Sequence, residues 1–240
     1  MTPPPDHPPD HPPDPPPDPP PAVAPTAPPA LRDRAVQLAA QWVHDCRRVD
    51  MQALAAELGV SRVTLFRHVG GRDALLGAAL WQLTERTLRA AERRWERCPD
   101  DGSRCAGTMR RFNALVTQAP GLRRLLDDEP AVAVRVLTDP QGAVQPGVVA
   151  FFEGQLRRDA QERALPLLVD PATLAFALVR LGEAFLYADV LAARTPDVDA
   201  ADRLQRVLVE GAASAQASRR GTHGPDVAHT RRSAYGPPLL

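Results

Sequence analysis

The chain has 240 residues, 44% of them hydrophobic and only 5% aromatic, and its 29 basic residues, all Arg, balance 29 acids to a net charge of zero. That length allows one large or two small domains with a real core. No apolar run approaches the roughly 20 residues that a bilayer crossing needs, and three cysteines with no C-x-x-C spacing exclude a disulfide framework and a zinc site and point to a reducing, cytoplasmic compartment.

Residues 1–30 form a Pro/Asp-rich tail. Sixteen of the first 29 residues are Pro, and Asp recurs at 6, 10, 14 and 18. Proline removes a backbone donor and fixes φ, so the expectation is an extended, solvated, disordered segment. It has no basic n-region and no apolar h-region, so a secretory signal is not expected. Docking of a proline-recognition module is the alternative reading.

Helical periodicity starts at Leu31, with Leu31, Ala35, Leu38, Ala39, Trp42 and Val43 on one stripe. Asp50 is placed to cap a short second helix whose inner face is Met51, Leu54, Ala55 and Leu58. Gly59 ends it, Ser61 caps a third helix, and Gly70–Gly71 ends that one. A long fourth helix then runs to about Cys98, stopped by Pro99. Further helices are predicted near 103–118, 121–127, 130–138, 145–164, 171–194 and 199–217, with no period-2 segment long enough for a sheet. Residues 218–240 are polar and turn-rich, a second tail expected to be disordered. The fold class is all-α, consistent with apolar content that is mostly Ala, Leu and Val.

Charge is unevenly placed. Residues 31–98 carry 12 Arg against 8 acids, whereas 99–218 carry 13 against 16. A basic N-terminal third on a neutral chain fits a local anionic partner. Within it, residues 49–69 read as helix–turn–helix. The turn needs a residue tolerant of positive φ, which Gly59 supplies. Val60 plugs the angle between the helices, Ala55 is small where they cross, and Leu54, Leu58, Leu65 and Val69 face inward. Arg62, Thr64, Arg67 and His68 are left with access to the outside, on a helix that fits the major groove. The helix starts at Met51–Gln52 and Ser61–Arg62 can present free N–H groups to phosphates. From the turn pattern alone, an αα-corner in an ordinary bundle is the competing reading.

The stretch from Leu54 to Leu76 resembles the DNA-binding signature of the TetR family, matching at Ala55, Gly59, Val60, Ser61, Thr64, Leu65, His68, Arg72 and Leu75. Phe66 stands where the family usually has Tyr, which removes a hydroxyl contact to phosphate. Val69 stands for a usual Phe, and Arg72 for a usual Lys, which changes donor geometry. The resemblance implies a TetR-like fold, with a three-helix DNA-binding domain at 31–76 and a larger effector-binding and dimerisation domain at 77–217. It implies base reading by Arg62, Thr64 and Arg67, backbone positioning by Gln52, Ser61, His68 and Arg72, with Phe66 in the same surface, and a double-stranded DNA operator as partner. It also implies a homodimer through the helices near 171–194 and 199–217, as operator geometry demands: two recognition helices must reach major grooves about 34–36 Å apart.

Residues 129–145 and 174–201 resemble the C-terminal domain of QsdR-type regulators, a subgroup linked to degradation of quorum-sensing lactones. This implies a repressor released from its operator by a small-molecule effector, with such a lactone as the named class. In the apolar helix near 171–194, Arg180, Glu183 and Tyr187 share a face. They are either a buried pair holding helices in register or the polar wall of a ligand cavity. The expected pocket lies between the fourth helix (Trp81 side), the helix carrying Phe112, and the helices near 145–164 and 171–194. A DNA-binding regulator controlled by a protein partner is the alternative, and a cavity in the C-terminal domain discriminates the two. An enzyme is not expected, since no phosphate loop, G-x-S-x-G or H-E-x-x-H occurs. No cofactor or metal is called for.

Overall fold

The computed structural model describes residues 30–99, 102–167 and 169–221, with side chains through Gly211. Both expected tails, 1–30 and 218–240, fall almost wholly outside this range. The described residues form eleven helices and no strand. α1 (Leu31–His44), α2 (Met51–Glu57) and α3 (Arg62–Val69) make the N-terminal module. Each short helix carries a side-chain cap: the Asp50 carboxylate accepts the Gln52 and Ala53 N–H groups, and Ser61 Oγ accepts that of Thr64. Gly59 takes φ +71° in the turn between them, as the motif requires. Ala35, Ala39, Leu54, Ala55 and Leu65 are buried and hold the module together, with Leu58 and Val60 half-buried at its edge.

α4 (Arg72–Arg97) runs unbroken across the boundary expected at residue 76, burying Leu75, Leu76, Leu80 and Leu88. Its first turn belongs to the N-terminal module and its remainder to the helical body. α5 (Arg104–Thr117), α6 (Pro120–Asp128), α7 (Pro130–Thr138) and α8 (Val144–Glu162) pack around it, and α6 and α7 each begin with Pro at the one helical end where its missing N–H costs nothing. The start of α5 is held by a buried carboxylate: Asp159 of α8 accepts the backbone N–H groups of Arg104 and Cys105 at 3.0 and 2.8 Å.

The helix expected at 171–194 is two helices, α9 (Pro171–Leu186) and α10 (Ala188–Ala192), parted at Tyr187. Tyr187 leaves helical geometry at φ −108°, ψ 24°, and its buried ring turns into the body. α11 (Val198–Gly221) extends beyond the expected end at 217. α9 is apolar nearly all round, but only Leu174, Ala175, Leu178, Val179 and Gly182 are buried within the chain. Its outer stripe, with Phe176 52% exposed, and Leu204, Val207 and Leu208 of α11 face outward.

Candidate nucleic-acid interface and effector cavity

The inward positions of α3 fix what lies outside. With Leu65 and Val69 buried, Arg62, Val63, Phe66, Arg67 and His68 are exposed and Thr64 is half-exposed. All the expected recognition-helix residues therefore share one open surface. Val63, 68% exposed, is a member that the sequence reading passed over, although its offset of two from Leu65 places it outside. Together with Phe66 it puts apolar surface among the arginines, suited to a thymine methyl on the groove floor. Thr64 Oγ1 lies 2.8 Å from Ser61 Oγ, so the pair is pre-positioned. His68 holds the Thr64 carbonyl oxygen through Nδ1 at 2.9 Å; that nitrogen must carry the proton, so only the imidazolium form can also donate from Nε2 to a phosphate.

Two expectations about phosphate contacts need correction. Gln52 is exposed at the start of α2, but the N–H groups there are taken by the Asp50 carboxylate, whose bonds to Ala53 and Gln52 hold it below the usual range, so this helix start is not an open anion site. Arg72 is not a free cation. Its Nε donates to the Val49 carbonyl at 2.6 Å, and its two terminal nitrogens grip Glu129 at 2.8 and 2.6 Å. Glu129 is the junction of α6 and α7, and it also accepts from Arg48 at 3.1 Å. Glu129 is a largely buried tie between the helical body and the N-terminal module, and Arg72 is its partner.

The helical body holds a partly open cavity of about 450 Å3. Leu83, Met109, Val148, Phe152 and Val179 give it an apolar wall, and Phe112, Glu183 and Tyr187 also line it. Trp81 and Arg180 do not. The Trp81 ring lies directly over Gly147 of α8, in the space where any side chain at 147 would sit. Arg180 is half-exposed outside the wall and donates to Glu183 at 2.7 Å. The Arg180–Glu183 pair lies within α9 with its Arg half-exposed, so it is not a buried tie between helices, and Glu183 and Tyr187 are cavity wall.

Residues missed in the sequence complete the polar end. Gln145 Nε2 donates to both Glu183 oxygens at 3.1 and 3.3 Å. Asn113 Nδ2 donates to Asp202 and to Gln205 Oε1, while Gln205 Nε2 reaches the Leu178 carbonyl. Burial pushes the Glu183 carboxyl above the ordinary glutamate value, against the pull of Gln145 and Arg180. Burial, then the neighbouring Glu183 charge, raises the Tyr187 phenol as well. The cavity also touches Val43, His44 and Gly121, where α1 meets α6, so it abuts the N-terminal module directly.

Residues 102–210 match the family described as Tetracyclin repressor-like, C-terminal domain. The TetR-family transcriptional repressor QsdR from R. erythropolis is 30% identical with a TM-score of 0.68, over 74% of this chain and 93% of that one. The TetR-family regulator PfmR from Thermus thermophilus is 20% identical with a TM-score of 0.35, over 75% and 96%. A complex of AibR with isovaleryl coenzyme A and operator DNA is 17% identical with a TM-score of 0.36, over 75% and 97%. No curated protein matches.

Proposed function

The chain belongs to the TetR family of transcriptional regulators, and on that premise we propose that it is a dimeric repressor whose hold on its operator is released by a small molecule in the cavity of the helical body. The observation that carries this reading is the cavity itself. At about 450 Å3 with a largely apolar wall and a few convergent polar groups, it falls in the range of small-molecule sites. A filled bundle core would instead have favoured control by a protein partner. A quorum-sensing-type lactone is the effector class that the QsdR resemblance supplies.

An effector acts by preferring one of two conformers, and its leverage equals that preference. Here the contact path is short. The cavity borders Val43 and Gly121, α6 ends at Glu129, and Glu129 holds Arg72 at the start of α4. A shift of α6 therefore reaches the helices that orient α3. The outward apolar residues Phe176, Leu204, Val207 and Leu208 support pairing of α9 and α11 with their copies. Sedimentation of the purified protein should give the mass of a dimer.

The experiment is a gel shift on the DNA upstream of the protein's own gene, with salt and lactones varied and random-sequence selection if that DNA is not bound. Selective binding released by one lactone class supports the whole reading. Selective binding that no small molecule releases sinks effector control and leaves the protein-partner alternative. Equal, salt-labile binding to every sequence would sink the operator claim. Replacing Arg67 by Ala should cost about 1–3 kcal/mol on the selected site and relax its sequence preference. A uniform loss over all sequences would mark Arg67 as a phosphate contact.

A further inference from the structure

The cavity is not uniformly greasy, and its polar end has one group left without a partner. Tyr187 is 7% exposed and lines the cavity, yet its hydroxyl makes no hydrogen bond among the described residues. The hydroxyl is open to the cavity rather than sealed in the core, and it sits at the helix break, where α9 stops at Leu186 and α10 restarts at Ala188. A Phe would fill the same volume and offer no donor there. One helical turn earlier is Glu183, held by Gln145 from one side and Arg180 from the other. A carboxylate has about four acceptor positions, and the bonds from Gln145 and Arg180 leave capacity for a further donor.

The remaining charges on the lining narrow the occupant. Arg86 of α4 is the cation on the lining and is exposed, and His44 of α1, also exposed, lies at the end of α1. Arg180, the cation bonded to Glu183, lies outside the wall. An anionic head group beside Glu183 would therefore be buried against a like charge with no cation inside to meet it.

Building on the reading of this cavity as the effector site, we propose that it takes an uncharged amphipathic molecule whose head group both accepts a hydrogen bond from the Tyr187 hydroxyl and donates one to the Glu183 carboxylate, with its apolar chain against Phe112, Val148 and Phe152. A primary or secondary amide has this chemistry. An ester or simple lactone has only the acceptor, and a carboxylate has the wrong charge.

The test uses four probes of one chain length: decanamide, methyl decanoate, γ-decalactone and decanoate. Binding to the full chain, without DNA, is measured at neutral pH by calorimetry and thermal shift. Decanamide should bind about tenfold more tightly than the ester or the lactone, and decanoate weakest. Tyr187→Phe should weaken decanamide about fivefold to tenfold while leaving the ligand-free thermal midpoint unchanged or raised, because only an unsatisfied hydroxyl is removed. Glu183→Gln should admit decanoate. A lowered ligand-free midpoint in Tyr187→Phe would show a structural hydroxyl and overturn the proposal. So would decanoate matching decanamide on the unmodified protein, or no binding by any probe. Because these readouts contain no DNA, they fail separately from the regulator reading: decanamide that binds but does not release the operator keeps the head-group assignment and removes effector control.

Discussion

Replacing Gly121 by Val will lower the thermal midpoint by about 6–12 °C, the shift expected from roughly 3 kcal/mol in a body of this size. Gly121 is the second residue of α6, and it lies against the end of α1. A Cβ built there overlaps the Val43 carbonyl oxygen and comes within 2.9 Å of the Val43 carbonyl carbon. These are backbone atoms, so no rotamer change relieves the overlap and one helix must move off the other. Helix propensity works in the opposite direction, since Gly is the poorer helix former by up to about 1 kcal/mol against Ala. The steric term wins because it acts on main chain at a buried crossing. Gly121→Ala should therefore also lose stability, by less than Val. An Ala variant with a raised midpoint would show that propensity dominates and that the close approach is not real. Because α1 also packs on α3, operator affinity in a gel shift should fall with stability across the series.

How far these features were legible depends on the range of the contacts that make them. The recognition helix was readable because all its determinants are local: the Ser61 cap, positive φ at Gly59, and the spacing of Leu65 and Val69. The same local logic led to the Asp50 cap but not to its consequence, that a capping carboxylate closes the α2 start to phosphate. Glu183 stood out because a charge in an apolar helix must find a partner, and Arg180 three residues earlier is the legible one, whereas Gln145, 38 residues away, is not. Arg72 was misread for the same reason in reverse. Nothing near it in sequence competes for its guanidinium, and the group that captures it is 57 residues on. Trp81 was read as a pocket residue and not as the cover of Gly147, which depends on how α4 crosses α8. The break at Tyr187 carries no Gly or Pro signal. What holds α10 beyond it is a contact distant in sequence, Asp189 meeting Arg123 of α6 at 2.8 Å.

The second large effect concerns the tie that was misread. Glu129→Ala should cost about 3 kcal/mol at neutral pH, because it strands the partly buried Arg72 with two guanidinium nitrogens unpaired. Arg48, 72% exposed, contributes little to that loss, since water replaces its contact. The pH dependence separates an ion-pair effect from a packing defect. Desolvation pulls the Glu129 carboxyl up, but bonds to Arg72 and Arg48 outweigh it, so the group sits below its ordinary value of 4.5. A carboxylate depressed in the folded state contributes stability that is complete above the unfolded value and lost as pH falls through the folded one. The midpoint difference between the native chain and Glu129→Ala, followed from neutral pH to about pH 3, should therefore hold level and then shrink below the ordinary carboxylate range. A difference that persists undiminished in acid would mean lost packing rather than a lost ion pair. Operator binding supplies the second half of the test. Were Arg72 a phosphate contact merely restrained by Glu129, freeing it would steepen the salt dependence of binding by about one unit per half-site. With its Nε still held by the Val49 carbonyl at 2.6 Å, the expected slope is unchanged, and the variant should bind its operator with a weaker link between cavity and recognition helix.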